Sequence, residues 1–392
     1  MDNLPLELAD AIVDVLSDDP RSICALLSIP CCLHSRARVH SFRIVHLLSE
    51  DSVLVFYDLC QSSPGIPHLV KELHIVLPRT TEHTDELHQL LESHPLPNVR
   101  ALTLKNMFRH GNVKKEAPSA FLSYSLASLT LDLRLFRLES LYELLTCYPT
   151  LKHLDISLVD VMWTRKGEVN QGAILSIEDF SISSSALPLC SAVQLLTVNT
   201  LRSVTLAGFK VPELHKCQRL LNNPSGVLQR LHIYQPRHWY ATPIKLEMLH
   251  VPFLTLEACR YDYNAGMGVK WFVDCLESGI GPVKVSRINI LLTPSEELDG
   301  GFFERSVDKY IWSSLDSTLT TPRFAATTLR IWVGYVVEWY PTPDADFLEQ
   351  TQLFICNALP GLHSENRLEV RCKVLQHSFD EVRHLTGLKQ ML

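Results

Sequence analysis

The sequence lacks the short motifs that mark common catalytic sites. It has no Gly-x-Ser-x-Gly nucleophile elbow, no phosphate-binding P-loop and no His-Glu-x-x-His zinc motif. Gly266-Met267-Gly268 lacks the third glycine of a dinucleotide-binding turn, so we interpret it as a loop before a helix over 269–278. We therefore expect no enzymatic activity and no bound cofactor.

A cysteine framework is also missing. The 11 cysteines form no CxxC pair and the chain has no Asn-x-Ser/Thr acceptor, which favours reduced thiols inside the cell. Cys31-Cys32-x-His34 brings three possible ligands together, but adjacent cysteines rarely hold one zinc ion and no second ligand pair follows. His83 and His88 are five residues apart, which places them on different faces of a helix. We expect no metal site.

Excess positive charge and long apolar runs are absent as well. The net charge of -7 argues against a nucleic-acid partner, because such proteins are usually basic. Apolar stretches such as 331–337 are too short to span a bilayer, and Asp2, Glu7 and Asp10 stand where a signal peptide needs basic and apolar residues. We expect a soluble cytoplasmic or nuclear protein with no membrane partner.

Three short helices are predicted at the beginning of the chain. Pro5 suits a first helical turn, and an apolar stripe with a spacing of four residues follows it at Leu8, Ile12 and Leu16. Asp19-Pro20 marks the start of a second helix, and residues 31–43 form a third. The side chains expected to pack back onto the first helix are Cys24, Leu26 and Leu27. Three helices are too small for an independent core, so they must pack on a neighbour or a partner.

This ordered series resembles an F-box over residues 1–47. The resemblance is carried by Leu4-Pro5-x-Glu7-Leu8-x3-Ile12-x3-Leu16, by Asp19-Pro20-Arg21-Ser22 and by the tail over 35–43, which is similar to F-box-like proteins abundant in mushroom-forming fungi. Leu33 stands where many members carry tryptophan, and Pro30-Cys31 replaces the usual Cys-Arg. In that family the motif binds the adaptor subunit of an SCF ubiquitin ligase and, through it, a cullin. The resemblance implies adaptor-binding residues Leu4, Pro5, Leu8, Ile12 and Leu16.

A pattern of apolar-x-x-apolar-x-apolar recurs from residue 70 onward. Its central positions are 73, 102, 129, 154, 180, 204, 231, 249, 288, 329 and 368. The first six steps are 24 to 29 residues long, as in leucine-rich repeats; the next is 18, and the last three are 39 to 41. Helical segments are predicted between them over 84–93, 138–147, 213–222, 269–278, 305–319 and 346–359.

The sequence therefore predicts an α/β fold. An N-terminal three-helix F-box-like module is followed by a leucine-rich-repeat-like solenoid arc of parallel strands with outer helices. The predicted divisions are 1–47 for the module, 48–68 for a helical linker or first repeat cap, and 69–392 for a degenerate array whose units lengthen after about 252. An ordinary α/β domain with several similar strands remains the alternative.

Residues that flank the buried strand positions would face the concave side of such an arc. In the early units they are mostly small, polar or acidic: Glu72, His74, Thr103, Ser128, Thr130, Asp132, His153 and Asp155. The later units offer the predicted partner-binding residues Arg230, His232, Tyr234, Arg287, Arg330 and Trp332, together with His250, Arg367 and Arg371. Guanidinium groups suit carboxylate and phosphate, so we expect an acidic or phosphorylated target. The alternative is that the aromatic residues fill the core, which is favoured for Trp271 and Trp312.

Two functions are compatible with this organisation. One is a substrate-recognition subunit of an SCF-type ubiquitin ligase, which binds an adaptor through the helices and an unknown target through the repeats. The other is a leucine-rich-repeat interaction scaffold whose N-terminal helices are only a cap.

Overall fold

A computed structural model gives the structure of the chain. It describes residues 5–17, 19–29, 32–76, 84–105, 121, 123–137, 144–162, 175–183, 200–207, 218–221, 227–234, 245–258, 265–292, 309–336 and 345–375. The chain forms two compact units, Met1–Ile177 and Glu178–Leu392. Each unit is α/β, with parallel strands and helices.

The first unit starts with helices and continues as alternating strands and helices. Its elements are α1 (Leu6–Val15), α2 (Pro20–Leu27), α3 (His34–Arg43), β1 (Ile44–Leu47), α4 (Glu50–Ser62), β2 (Glu72–Val76), α5 (Thr84–Ser93), β3 (Ala101–Lys105), β4 (Ser128–Arg137) and β5 (His153–Met162). Asp19 caps α2, as the sequence predicts, because its carboxylate accepts a hydrogen bond from the backbone N–H of Arg21 at 3.1 Å.

The strands of the first unit pair in chain order from β1 to β5, all in parallel. One buried column crosses them, made of Val45, Leu73, Leu102, Leu129 and Leu154. The repeat positions of the sequence therefore set the register. Strand β1 was not predicted. The sequence pattern places residues 44–47 in the helical module, whereas in the structure they pair with β2, so α3 leads directly into the sheet.

The second unit repeats the same strand-and-helix alternation. Its elements are β6 (Asp179–Ser183), β7 (Ser203–Ala207), α6 (Gln218–Leu221), β8 (Arg230–Tyr234), β9 (Phe253–Ala258), α7 (Ala265–Ser278), β10 (Arg287–Leu292), α8 (Lys309–Leu319), β11 (Thr328–Val336), α9 (Ala345–Ala358), α10 (Pro360–Ser364) and β12 (Leu368–Leu375).

The second unit also has parallel strands in chain order, from β6 to β12. A second apolar column crosses them: Phe180, Val204, Leu231, Leu254, Ile288, Leu329 and Leu368. The prediction of a strand centred on Leu249 is wrong. Leu249 and Val251 are buried in a connection, and β9 follows Pro252, so Leu254 is the repeat position.

Most of the segments predicted to be helical contain a helix in the structure. Helix α5 has the predicted bounds, and α7, α8 and α9 overlap the predicted segments closely. The segment over 138–143 lies outside the described residues. Trp271 on α7 and Trp312 on α8 are buried, which confirms that they are core residues. No helix within the described ranges is long and apolar enough to cross a membrane.

Candidate interaction surfaces

The N-terminal helices enclose a small core of their own. Ala9 and Val13 of α1 are fully buried against Ile23 of α2, Ala37 of α3 and Leu33, which immediately precedes α3. The small side chains of Ala9 and Ala37 permit close approach of α1 and α3. The exposed large apolar residues of α1 lie on its other faces. Leu33 is therefore a packing residue of this helical core.

A stripe of apolar side chains lies outward on α1. We name it the docking stripe and define it as Pro5, Leu8, Ile12 and Val15. All four are exposed, with 54% of Leu8, 44% of Ile12 and 83% of Val15 accessible to solvent. Their spacing of three and four residues places them on one side of the helix.

The docking stripe differs in part from the residues predicted for adaptor binding. Pro5, Leu8 and Ile12 are shared by both sets, whereas Leu4 lies outside the described residues. Leu16 is only partly buried and packs against the module core, and Val15 takes the outward position instead. Leu26 and Leu27 pack on this core as expected, but Cys24 is exposed.

An ion pair fixes α1 against α3. The guanidinium of Arg36 donates to Asp14 through Nε at 2.7 Å and through Nη2 at 2.9 Å, and His40 Nε2 lies 2.6 Å from Asp14 Oδ1. Hydrogen bonds from Arg36 and then His40 lower the pKa of Asp14 from 3.8 to about 2. This acidic residue therefore orients the helix that carries the docking stripe.

We expect Asp14→Asn to lower the thermal unfolding midpoint by a small amount at neutral pH. Because the folded-state pKa of Asp14 is depressed, its contribution is fully present above the unfolded value of 3.8 and is lost as the pH falls toward about 2. The midpoint difference between wild type and variant, measured from pH 7 to pH 3, should stay constant and then shrink below pH ~4. A difference that grows on acidification would contradict this assignment.

The polar face of the first-unit sheet carries mainly small side chains. One row in register contains His46, His74, Thr103, Thr130 and Asp155. The imidazole rings of His46 and His74 stack with their centroids 4.6 Å apart. Four of the predicted outward residues, His74, Thr103, Thr130 and Asp155, therefore share this row.

Three rows of side chains form the corresponding polar face of the second unit, which we name the second-unit face. The first row contains Ser203, Arg230, Phe253, Arg287 and Thr328; the second contains Thr205, His232, Thr255, Asn289, Arg330 and Glu369; the third contains Ala207, Tyr234, Glu257, Leu291, Trp332 and Arg371. All six predicted partner-binding residues lie on this face.

Two arginines of the second-unit face share one acid. Glu369 on β12 contacts Arg330 of the neighbouring strand at 2.5 Å and also forms an ion pair with Arg371. The Arg371 guanidinium lies 5.0 Å from the ring centroid of Trp332. The positive charge of Arg330 and Arg371 is therefore partly neutralised by Glu369 of the same chain.

The centre of the second-unit face is buried and polar. Glu257 is 1% exposed, and its carboxylate lies 3.3 Å from His232 Nε2. Asn289 donates to the Thr255 hydroxyl at 3.2 Å, and both side chains are buried. These residues satisfy one another, so the centre is ordered by internal contacts.

Arg367, expected among the outward residues, has a structural role. Its guanidinium donates to the carbonyl oxygens of Phe324, Thr327 and Leu319 at distances of 2.7, 3.0 and 2.8 Å. The side chain is only 11% exposed and also contacts Glu365. It ties the turn before β11 to the start of β12 and is not available to a ligand.

Thiols and possible metal ligands also occur in the described ranges. No group of three or more His, Cys, Asp or Glu residues there could hold a metal ion. Burial raises the pKa of the Cys60 thiol to about 11 and that of Cys275 to about 12, so both are neutral at pH 7. Cys31 and His83 lie outside the described residues.

In comparisons with known proteins, the chain matches no family model and no curated protein sequence.

Proposed function

We propose that the chain is a substrate-recognition subunit of an SCF-type ubiquitin ligase. In this proposal the three N-terminal helices act as an F-box and bind the adaptor. Its leucine-rich-repeat-like parallel strands hold a target protein. The chain itself performs no bond chemistry; it raises the effective concentration of the target near the enzyme that transfers ubiquitin.

The observation that carries this proposal is the docking stripe. Leu8, Ile12 and Val15 are large apolar residues that remain exposed although Ala9 and Val13, on the same helix, are fully buried. Burial of an apolar side chain is favourable by roughly 1.5–3 kcal/mol. A stripe of such residues at helical spacing is suited to a partner's hydrophobic groove. Pro5, Leu8 and Ile12 are also residues of the F-box resemblance.

The organisation of the rest of the chain supports the same proposal. Repeat positions 73 to 154 and 180 to 368, with 254 in place of 249, align in register within their units. This regular stacking of strand-and-helix units is typical of repeat proteins that bind other proteins.

Co-purification tests the proposal. Affinity-tagged intact chain, expressed in eukaryotic cells, should recover the SCF adaptor and a cullin. A variant that lacks residues 1–43 should recover neither, because it loses α1 to α3 but retains β1 and therefore its pairing with β2. Recovery of neither protein by the intact chain would favour the interaction scaffold without a ligase role.

A further inference from the structure

Two arginines of the second-unit face have no acidic partner within the described part of the chain. Arg230 begins β8 and is exposed, and Arg287 begins β10 and is half-buried. Both align in register with Phe253 of the intervening strand β9. Because neighbouring strands lie about 4.8 Å apart, their backbones are separated by about 10 Å. Long side chains can readily bridge that distance toward a common ligand.

The side chain of Arg287 leans toward the strand that separates the two arginines. Its guanidinium carbon lies 5.7 Å from the centroid of the Phe253 ring. Its Nε is buried and has no hydrogen-bond acceptor among the described residues. A buried donor without an acceptor is unfavourable. The charge of Arg287 is therefore positioned over an aromatic ring, and no described residue supplies a counter-ion.

Three other arginines of this chain are satisfied by carboxylates, whereas Arg367 is bound mainly by carbonyl oxygens. Arg36 donates to both oxygens of Asp14 through Nε and Nη2, and Arg330 and Arg371 pair with Glu369. Each of these partners is a carboxylate. Arg230 and Arg287 belong to the same type of surface, yet the described residues supply no carboxylate to either.

We propose that Arg230, Phe253 and Arg287 form a binding site for an acidic segment of a target protein. One aspartate or glutamate carboxylate would pair with each guanidinium, and the Phe253 ring would contact the aliphatic part of the bound segment. Carboxylates suit the site better than a doubly charged phosphate, because Arg287 is half-buried and a dianion loses more hydration there. That the ligand is a ligase target rests on the proposed function.

Three peptide pools test this site with the intact chain. The first carries two glutamates at fixed positions in an otherwise random, uncharged sequence; the second has glutamines there, and the third has phosphoserines. Fluorescence anisotropy should show tighter binding of the glutamate pool than of the glutamine pool. The double variant Arg230→Gln/Arg287→Gln should lose about tenfold affinity or more for each arginine removed.

A second double variant controls for net charge. Arg202→Gln/Lys284→Gln removes two exposed positive charges from the same unit, outside the three rows of the face, and should keep the preference for glutamate. Equal binding of the glutamate and glutamine pools, or equal losses in both double variants, would overturn the proposal. Phosphoserine binding more than about tenfold tighter than glutamate would overturn the choice of carboxylate. Adaptor binding, measured in parallel, separates failure of this site from failure of the proposed function.

Discussion

Substitution of Leu8 and Ile12 by glutamate in one variant should lower the affinity for the SCF adaptor by about 100-fold or more. Apolar anchors at the centre of an interface each contribute about 2 kcal/mol or more, and 1.4 kcal/mol corresponds to a factor of ten. Both side chains are about half exposed, and glutamate is a good helix former. The free energy of unfolding should therefore change by less than about 0.5 kcal/mol per site.

A matched variant separates specific docking from a general effect of added charge. Leu54→Glu/Val55→Glu also replaces two exposed apolar residues of a helix in the first unit, at 46% and 67% exposure. It should bind the adaptor as wild type does. Calorimetric titration gives the adaptor affinity of both variants. Equal losses of affinity in the two variants would show that the docking stripe is not the binding site.

The second large effect is expected in the core of the second unit. Trp312 of α8 is fully buried, and replacement of a buried tryptophan by alanine costs about 3–5 kcal/mol because a large cavity remains. Trp312→Ala should therefore shift the denaturation midpoint strongly, as followed by far-ultraviolet circular dichroism.

Tyr310, two residues earlier on the same helix, provides the control. It is 69% exposed, so Tyr310→Ala should change the free energy of unfolding by less than about 0.5 kcal/mol. Trp312→Phe should be milder than Trp312→Ala, because it keeps most of the ring volume and removes an indole Nε1 that has no acceptor among the described residues. Similar midpoints for Trp312→Ala and Tyr310→Ala would contradict the assignment of Trp312 to the core.

Repeat spacing predicted most of the strands because apolar alternation reports burial directly. It failed at Leu249, where Leu249 and Val251 are buried in a connection and carry the same pattern as a strand. Local periodicity does not separate these cases. Pairing with Leu231 and Ile288 selects Leu254 as the strand residue, and that pairing depends on contacts distant in sequence.

The candidate surfaces were predicted less completely for a related reason. Leu8 and Ile12 were evident as apolar residues, but their outward position follows from the close packing of Ala9 and Val13 on α3. Likewise the arginines of the second-unit face could be read from the sequence, whereas the pairing of Arg330 with Glu369 depends on strand register across about forty residues.

The most direct test of the proposed function is calorimetric titration of the intact chain with purified SCF adaptor. The proposal predicts saturable binding at one adaptor per chain, with a negative heat-capacity change from burial of the docking stripe. Absence of saturable binding by a folded, intact chain would contradict it.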